Sequence, residues 1–206
     1  MINETPKTGN KDLSPFVRGF AKGVRVLSIP PVLIGALIAI LWFGAASVFP
    51  NPSSLILSYV FLALVPLLAY PVAALIPRLR RGGRKVQRET AFVFSFFGYL
   101  GAVLYGLIAK VGRNLMLLYL TYFVSILFLL FFNKVVGLRA SGHACAVTGP
   151  LVFPVYFVGW QWLLPCLLVL GLVFFSSLLL KRHTWKELAV GSASALMGFF
   201  VCLLLL

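Results

Sequence analysis

Seven continuous apolar runs, at roughly 29–48, 54–77, 91–110, 114–133, 144–159, 162–180 and 188–206, alternate with short polar islands. Most approach the ~20 residues that a helix needs to cross hydrocarbon. Barrel strands would alternate polar and apolar at every second position, and these runs do not, so the pattern predicts helices. The expectation is an all-α, polytopic helical membrane bundle of about six to seven transmembrane spans. The fifth run is the shortest and holds Pro150 and Pro154, so a kinked or partly broken span is expected there. Asn51-Pro52 and Gly82-Gly83 are turn signals. Gly98, Gly101 and Gly106 favour close helix contact, either inside the bundle or between copies.

The chain ahead of the first run reads differently. Residues 1–14 are polar, with Glu4, Lys7, Lys11 and Asp12, and carry no signal-peptide pattern. Over residues 16–27 a helical projection gathers Arg18, Lys22 and Arg25 on one face and Phe16, Phe20, Val24 and Leu27 on another. That is the pattern of a basic helix lying at a membrane surface, or of an ordinary cytoplasmic flank to the first span. Two regions follow: 1–28, a polar N-terminus with a basic juxtamembrane helix, and 29–206, a single transmembrane domain.

Composition supports the membrane assignment. Hydrophobic residues make up 61% of the chain, charged residues 11%, and mean hydropathy is +1.03; a soluble domain is nearer half apolar and about a quarter charged. The net charge of +14 comes from cations at the ends of apolar runs, where they set topology and meet anionic lipid headgroups, so no nucleic-acid partner is expected. With seven spans, sixteen of the eighteen cations fall on the side of the N-terminus, and only Lys110 and Arg113 on the other. Removing Arg81, Arg88, Arg139, Lys181 and Arg182 still leaves eleven against two. The N-terminus and the polar islands are therefore expected to be cytoplasmic. Cys145, Cys166 and Cys202 lie in predicted spans without metal-ligand spacing and read as small buried hydrophobes.

Candidate chemistry collects in three islands, all on one face by this topology. The chain has two histidines and four carboxylates. His183 and Glu187 are four apart, where helical side chains meet, so the carboxylate can hold the Nδ1 proton and leave Nε2 free to attack. The same pair is also half a metal site that only His143 would complete, or a plain surface pair. In Arg139-Ala-Ser-Gly-His143, Ser141 and Gly142 place backbone amides near a helix N-terminus, which favours an anion, with His143 beside them as a proton donor. Alternatively the histidine merely caps the next helix. The island Arg78-Leu-Arg-Arg-Gly-Gly-Arg-Lys-Val-Gln-Arg88-Glu89 is rich in guanidinium, suited to phosphate oxygens or simply to topology.

In order, these islands resemble the three signature motifs of the type 2 phosphatidic acid phosphatase superfamily, which includes vanadium haloperoxidases: K-x6-R-P, P-S-G-H and S-R-x5-H-x3-D. Arg81 and Arg88 have the first spacing, with Glu89 for proline; Ala140-Ser-Gly-His143 is the second with alanine for proline. His183 to Glu187 ends the third with glutamate for aspartate, and Gly191 falls where a helix-packing glycine often follows. The arginine of that third motif, six residues before the histidine, is Ser177 here. Arg182-His-Thr also resembles a divergent bacterial branch. The likeness covers roughly residues 78–198.

The resemblance implies a lipid-phosphate phosphatase of a bacterial inner membrane, acting on a phosphomonoester or diphosphate of an acyl or prenyl lipid. His183 would be the nucleophile, forming a phosphohistidine; Glu187 would orient it; His143 would protonate the leaving group. Arg81, Arg88, Arg139, Arg182 and the amides of Ser141 and Gly142 would hold phosphoryl oxygens. No metal and no cofactor are implied, because such a transfer needs charge stabilisation and in-line positioning. The alternative is a non-catalytic transporter or assembly protein on the same scaffold. A transporter more readily carries an ionisable group in mid-span, and Lys, Arg, His, Asp and Glu are all absent from the middle of each predicted span.

Overall fold

The computed structural model describes residues 14–206, leaving out the side chains of Arg84 and Lys85. The polar segment with Glu4 and Asp12 lies outside the described residues. Every regular element among those described is helical.

Ser14 opens α1 (Pro15–Leu27) by accepting from the Val17 amide at 3.3 Å. A 58° bend then leads to α2 (Pro30–Gly44). The bend has a local cause: Ile29 precedes proline, which disfavours helical backbone, and it is extended here. Next, α3 (Pro52–Tyr59) and α4 (Val65–Leu75) join through a π turn, Val60–Leu64, into one 24-residue rod. Pro66 has no N–H to offer the preceding turn, and the wider turn absorbs that mismatch. The short α5 (Pro77–Arg81) passes through Gly82 into α6 (Gly83–Ile108), where Gly83 adopts φ +62°. A π turn, Phe131–Val135, extends α7 (Arg113–Leu130), and another, Pro154–Val158, extends α8 (Gly142–Phe153). The long helices α9 (Leu163–Leu179) and α10 (Trp185–Leu205) complete the chain.

All seven apolar runs are thus helical. Five stretches are long and apolar enough to cross a bilayer: Pro52–Leu75, Val86–Ile108, Arg113–Val135, Trp160–Leu179 and Trp185–Leu205. The bent pair α1–α2 makes a sixth if counted as one span, and Gly142–Val158 is shorter than a full crossing. The count is therefore five to six. The distortion expected near Pro150 and Pro154 is a π turn starting at Pro154, and the chain stays helical through it.

The bundle is built around α7, which buries Leu115, Leu117, Leu118, Tyr119, Tyr122 and Ile126 against its neighbours. Lipid offers no hydrophobic drive between helices, so close packing and interhelical hydrogen bonds carry the assembly. Tyr99, Tyr122, Phe153 and Phe199 form an aromatic column with successive centroids 5.3, 6.3 and 5.7 Å apart. Ser58 and Tyr119 share a hydrogen bond of 2.7 Å across helices. Gly98 and Gly101 of α6 lie against Phe61, and Gly106 faces Met116 and Tyr119, so all three glycines serve contacts within the bundle. Outward-facing Phe97, Leu107, Leu164 and Leu204 leave an apolar exterior suited to lipid.

Candidate functional site

The ends of α7, α8, α9 and α10 converge on one polar cluster. Within the π turn that extends α7, Asn133 Nδ2 donates to the Leu129 carbonyl at 2.8 Å and to the Ala140 carbonyl at 3.4 Å. This fastens the loop that carries the second island. Ser141 then caps α8, its Oγ accepting from the Ala144 amide at 3.2 Å. Its own amide donates to the Glu187 carbonyl at 2.8 Å.

That bond changes the reading of Ser141. The expectation was an amide turned to phosphate; instead both the amide and the hydroxyl are engaged, and the residue is fully buried. Ser141 is the joint between the second and third islands. The joint requires Gly191, because a Cβ there would collide with the Ser141 carbonyl. Gly142 remains in the first turn of α8, the end where helix amides favour an anion.

The third island is set by two caps. At the end of α9 the Lys181 amide bonds to Leu178 and the Arg182 amide to Ser177, with Lys181 at φ +50°. This is the left-handed closure of a Schellman turn. Thr184 then caps α10, accepting from the Glu187 amide at 3.3 Å. Between the caps, His183 Nδ1 lies 2.8 Å from Glu187 Oε2. The other oxygen, Oε1, faces Arg139 Nε at 3.6 Å. A buried carboxylate held from both sides fixes one imidazole tautomer, with the proton at Nδ1 and the lone pair at Nε2.

Comparison of the chain with models of known protein families, with curated proteins and with solved structures finds no match. The chemistry of this cluster therefore rests on its own geometry.

Two residues that the spacing of motifs did not single out enter from α1. Arg25 Nη1 donates to Ser177 Oγ at 3.2 Å, and Ser28 Oγ lies 3.2 Å from His143 Nε2. The Ser28 hydroxyl donates to the Arg25 carbonyl at 3.3 Å, which leaves its oxygen to accept from His143. The tautomer with its proton on Nε2 suits this arrangement. Helix α1 packs along α9 with Ala21, Arg25 and Ser28 turned inward, while Phe16, Phe20 and Leu27 are exposed. Phe16, Phe20 and Leu27 thus point away from the protein, and Arg25 alone of the basic face acts on the histidines, while Lys22 is exposed.

Electrostatics follow from this crowding. Burial, then Arg25, then His183 push the His143 pKa down to about 4. His183 is also lowered, first by burial; its bond to Glu187 works the other way, and Arg25 and Arg88 reinforce the fall. Both imidazoles are neutral at pH 7, as a nitrogen nucleophile requires. Arg88 thus acts on His183 although its side chain is exposed, and Arg182 acts on Arg25. Arg81 ends α5 as an exposed residue. Among the described residues no three His, Cys, Asp or Glu side chains gather in a way that would hold a metal ion.

Proposed function

We propose that this chain is a lipid-phosphate phosphatase of the type 2 phosphatidic acid phosphatase kind, working through a phosphohistidine. One observation carries the reading: a buried Glu187 holds His183 Nδ1 at 2.8 Å, and the second histidine is brought to the same cluster, its Nε2 3.2 Å from Ser28 Oγ. In the first step His183 Nε2 forms a bond to phosphorus as the P–O bond to the leaving alcohol or phosphate breaks. His143, turned to imidazolium by taking up a proton from solvent as the anionic phosphate binds, gives its Nε2 proton to that oxygen and returns to the neutral form. A bound phosphate, being anionic, raises the histidine's proton affinity and so prepares it as an acid. In the second step water attacks the phosphohistidine, the N–P bond breaks, and His143 takes the proton from water. Glu187 balances the charge that grows on His183.

Arg88, Arg182 and the α8 N-terminus at Gly142 supply contacts for phosphoryl oxygens. Arg139 reaches the site through Glu187, which it helps to hold. The lipid tail remains beside the apolar exterior while the headgroup meets the polar end of the bundle. The charge distribution supports a cytoplasmic site.

The test is phosphate release from phosphatidate, a polyprenyl phosphate and a polyprenyl diphosphate, using protein purified in detergent with EDTA. Release that persists in EDTA and disappears in His183→Ala is expected, together with an acid-labile phosphoenzyme. Folded protein that releases phosphate from none of the three would sink the proposal.

A further inference from the structure

The cluster holds an imbalance of charge. Arg25, Arg88, Arg139 and Arg182 surround the two histidines, whereas Glu187 is the one buried carboxylate among the described residues and already serves His183 and Arg139. No carboxylate pairs with Arg25 among the described residues, although Arg25 is half-buried and acts on both histidines. A guanidinium brought under cover without an anion is poorly compensated, and phosphate oxygens are the partners its fork suits best.

The geometry points to Arg25 as a phosphate-binding arginine of this site, delivered by the N-terminal helix in place of one that α9 lacks. This rests on the phosphatase reading for its substrate. Ser177 is fully buried, and its Oγ accepts from Arg25 Nη1 at 3.2 Å. It occupies the position, six residues before His183, where the motif resembled in sequence has arginine. A small residue on α9 and a long cation on α1 thus fill one location between them. Ser177 takes one of five guanidinium donors, so the fork keeps others to offer an anion. Inward placement of Arg25 is secured by Ala21 one turn before it, fully buried, and by Ser28 three residues after it, bonded to His143.

The experiment uses the full chain in detergent, with inorganic phosphate binding measured by calorimetry and lipid-phosphate hydrolysis measured in parallel. The variants are Arg25→Ala, Arg25→Lys, the double change Arg25→Ser with Ser177→Arg, and Lys22→Ala as a control removing one exposed charge from the same helix. Arg25→Ala is expected to weaken phosphate binding by about 10- to 100-fold, as loss of a charge-assisted fork does. Arg25→Lys recovers part of that loss, the double variant most of it, and Lys22→Ala binds like the parent. Equal binding by Arg25→Ala and the parent, or no phosphate binding by the parent, overturns the assignment. So does a folded double variant that stays as weak as Arg25→Ala, because the loss then comes from disturbed packing of α1. Should Arg25 govern phosphate binding while no lipid phosphate is hydrolysed, this assignment stands and the phosphatase reading fails. Hydrolysis unchanged in Arg25→Ala gives the opposite result.

Discussion

The carboxylate of Glu187 does more for the cluster than either histidine does for itself. It accepts from His183 Nδ1, faces Arg139, and its backbone carbonyl takes the Ser141 amide. Glu187→Gln keeps the shape but also offers a donor to Nδ1, which favours the wrong tautomer. On the proposed phosphatase reading, a fall in kcat of about 10²- to 10⁴-fold is expected, with little change in KM, read from initial rates on the preferred lipid. The histidines also make stability depend on pH. The ordinary value of 6.5 falls to about 4 for His143, so between those limits the unfolded chain binds a proton that the folded chain rejects. Stability should decline as pH drops through that window, and thermal unfolding of His143→Gln should show a shallower decline. His183 and Glu187 stood out in the sequence because polar residues four apart are conspicuous in so apolar a chain. Arg25 and Ser28 did not, since their partners lie 152 and 115 positions away and no spacing rule reaches that far.

At the level of elements, the contact of α10 with the Ser141 loop depends on a missing side chain. Gly191→Ala forces the Ser141 carbonyl and α10 apart; a loss of about 1–3 kcal/mol, visible as a lower unfolding temperature in detergent, is the expected consequence. Helix positions were readable from hydropathy because continuous apolar runs leave few other structures in a bilayer. The π turns were less so. Pro154 hinted at one, but the sequence around Pro66 and Phe131–Val135 does not distinguish a widened turn from a kink. The α1 helix illustrates another limit: its two faces were clear from residues 16–27, yet the pattern could not tell which face meets lipid and which meets protein.

For the whole molecule, the decisive quantity is orientation. If the cluster is cytoplasmic, a cysteine replacing exposed Lys186 should react with a membrane-impermeant maleimide only in inside-out vesicles, and one replacing Lys110 only in right-side-out vesicles. The native cysteines are buried and free, so the background should be low. Five helices passed as full spans where seven runs were counted, because hydropathy does not reveal that α2 and Gly142–Val158 stop short. The Ser141–Glu187 bond also has a mechanical side. It locks the loop bearing His143 to the helix turn bearing Glu187, so the two imidazoles ride on one rigid block. Helix α1 belongs to a different lever, hinged at the bend beside Ser28 and Ile29. Strain applied to this end of the bundle therefore separates α1 from the block before it separates one histidine from the other.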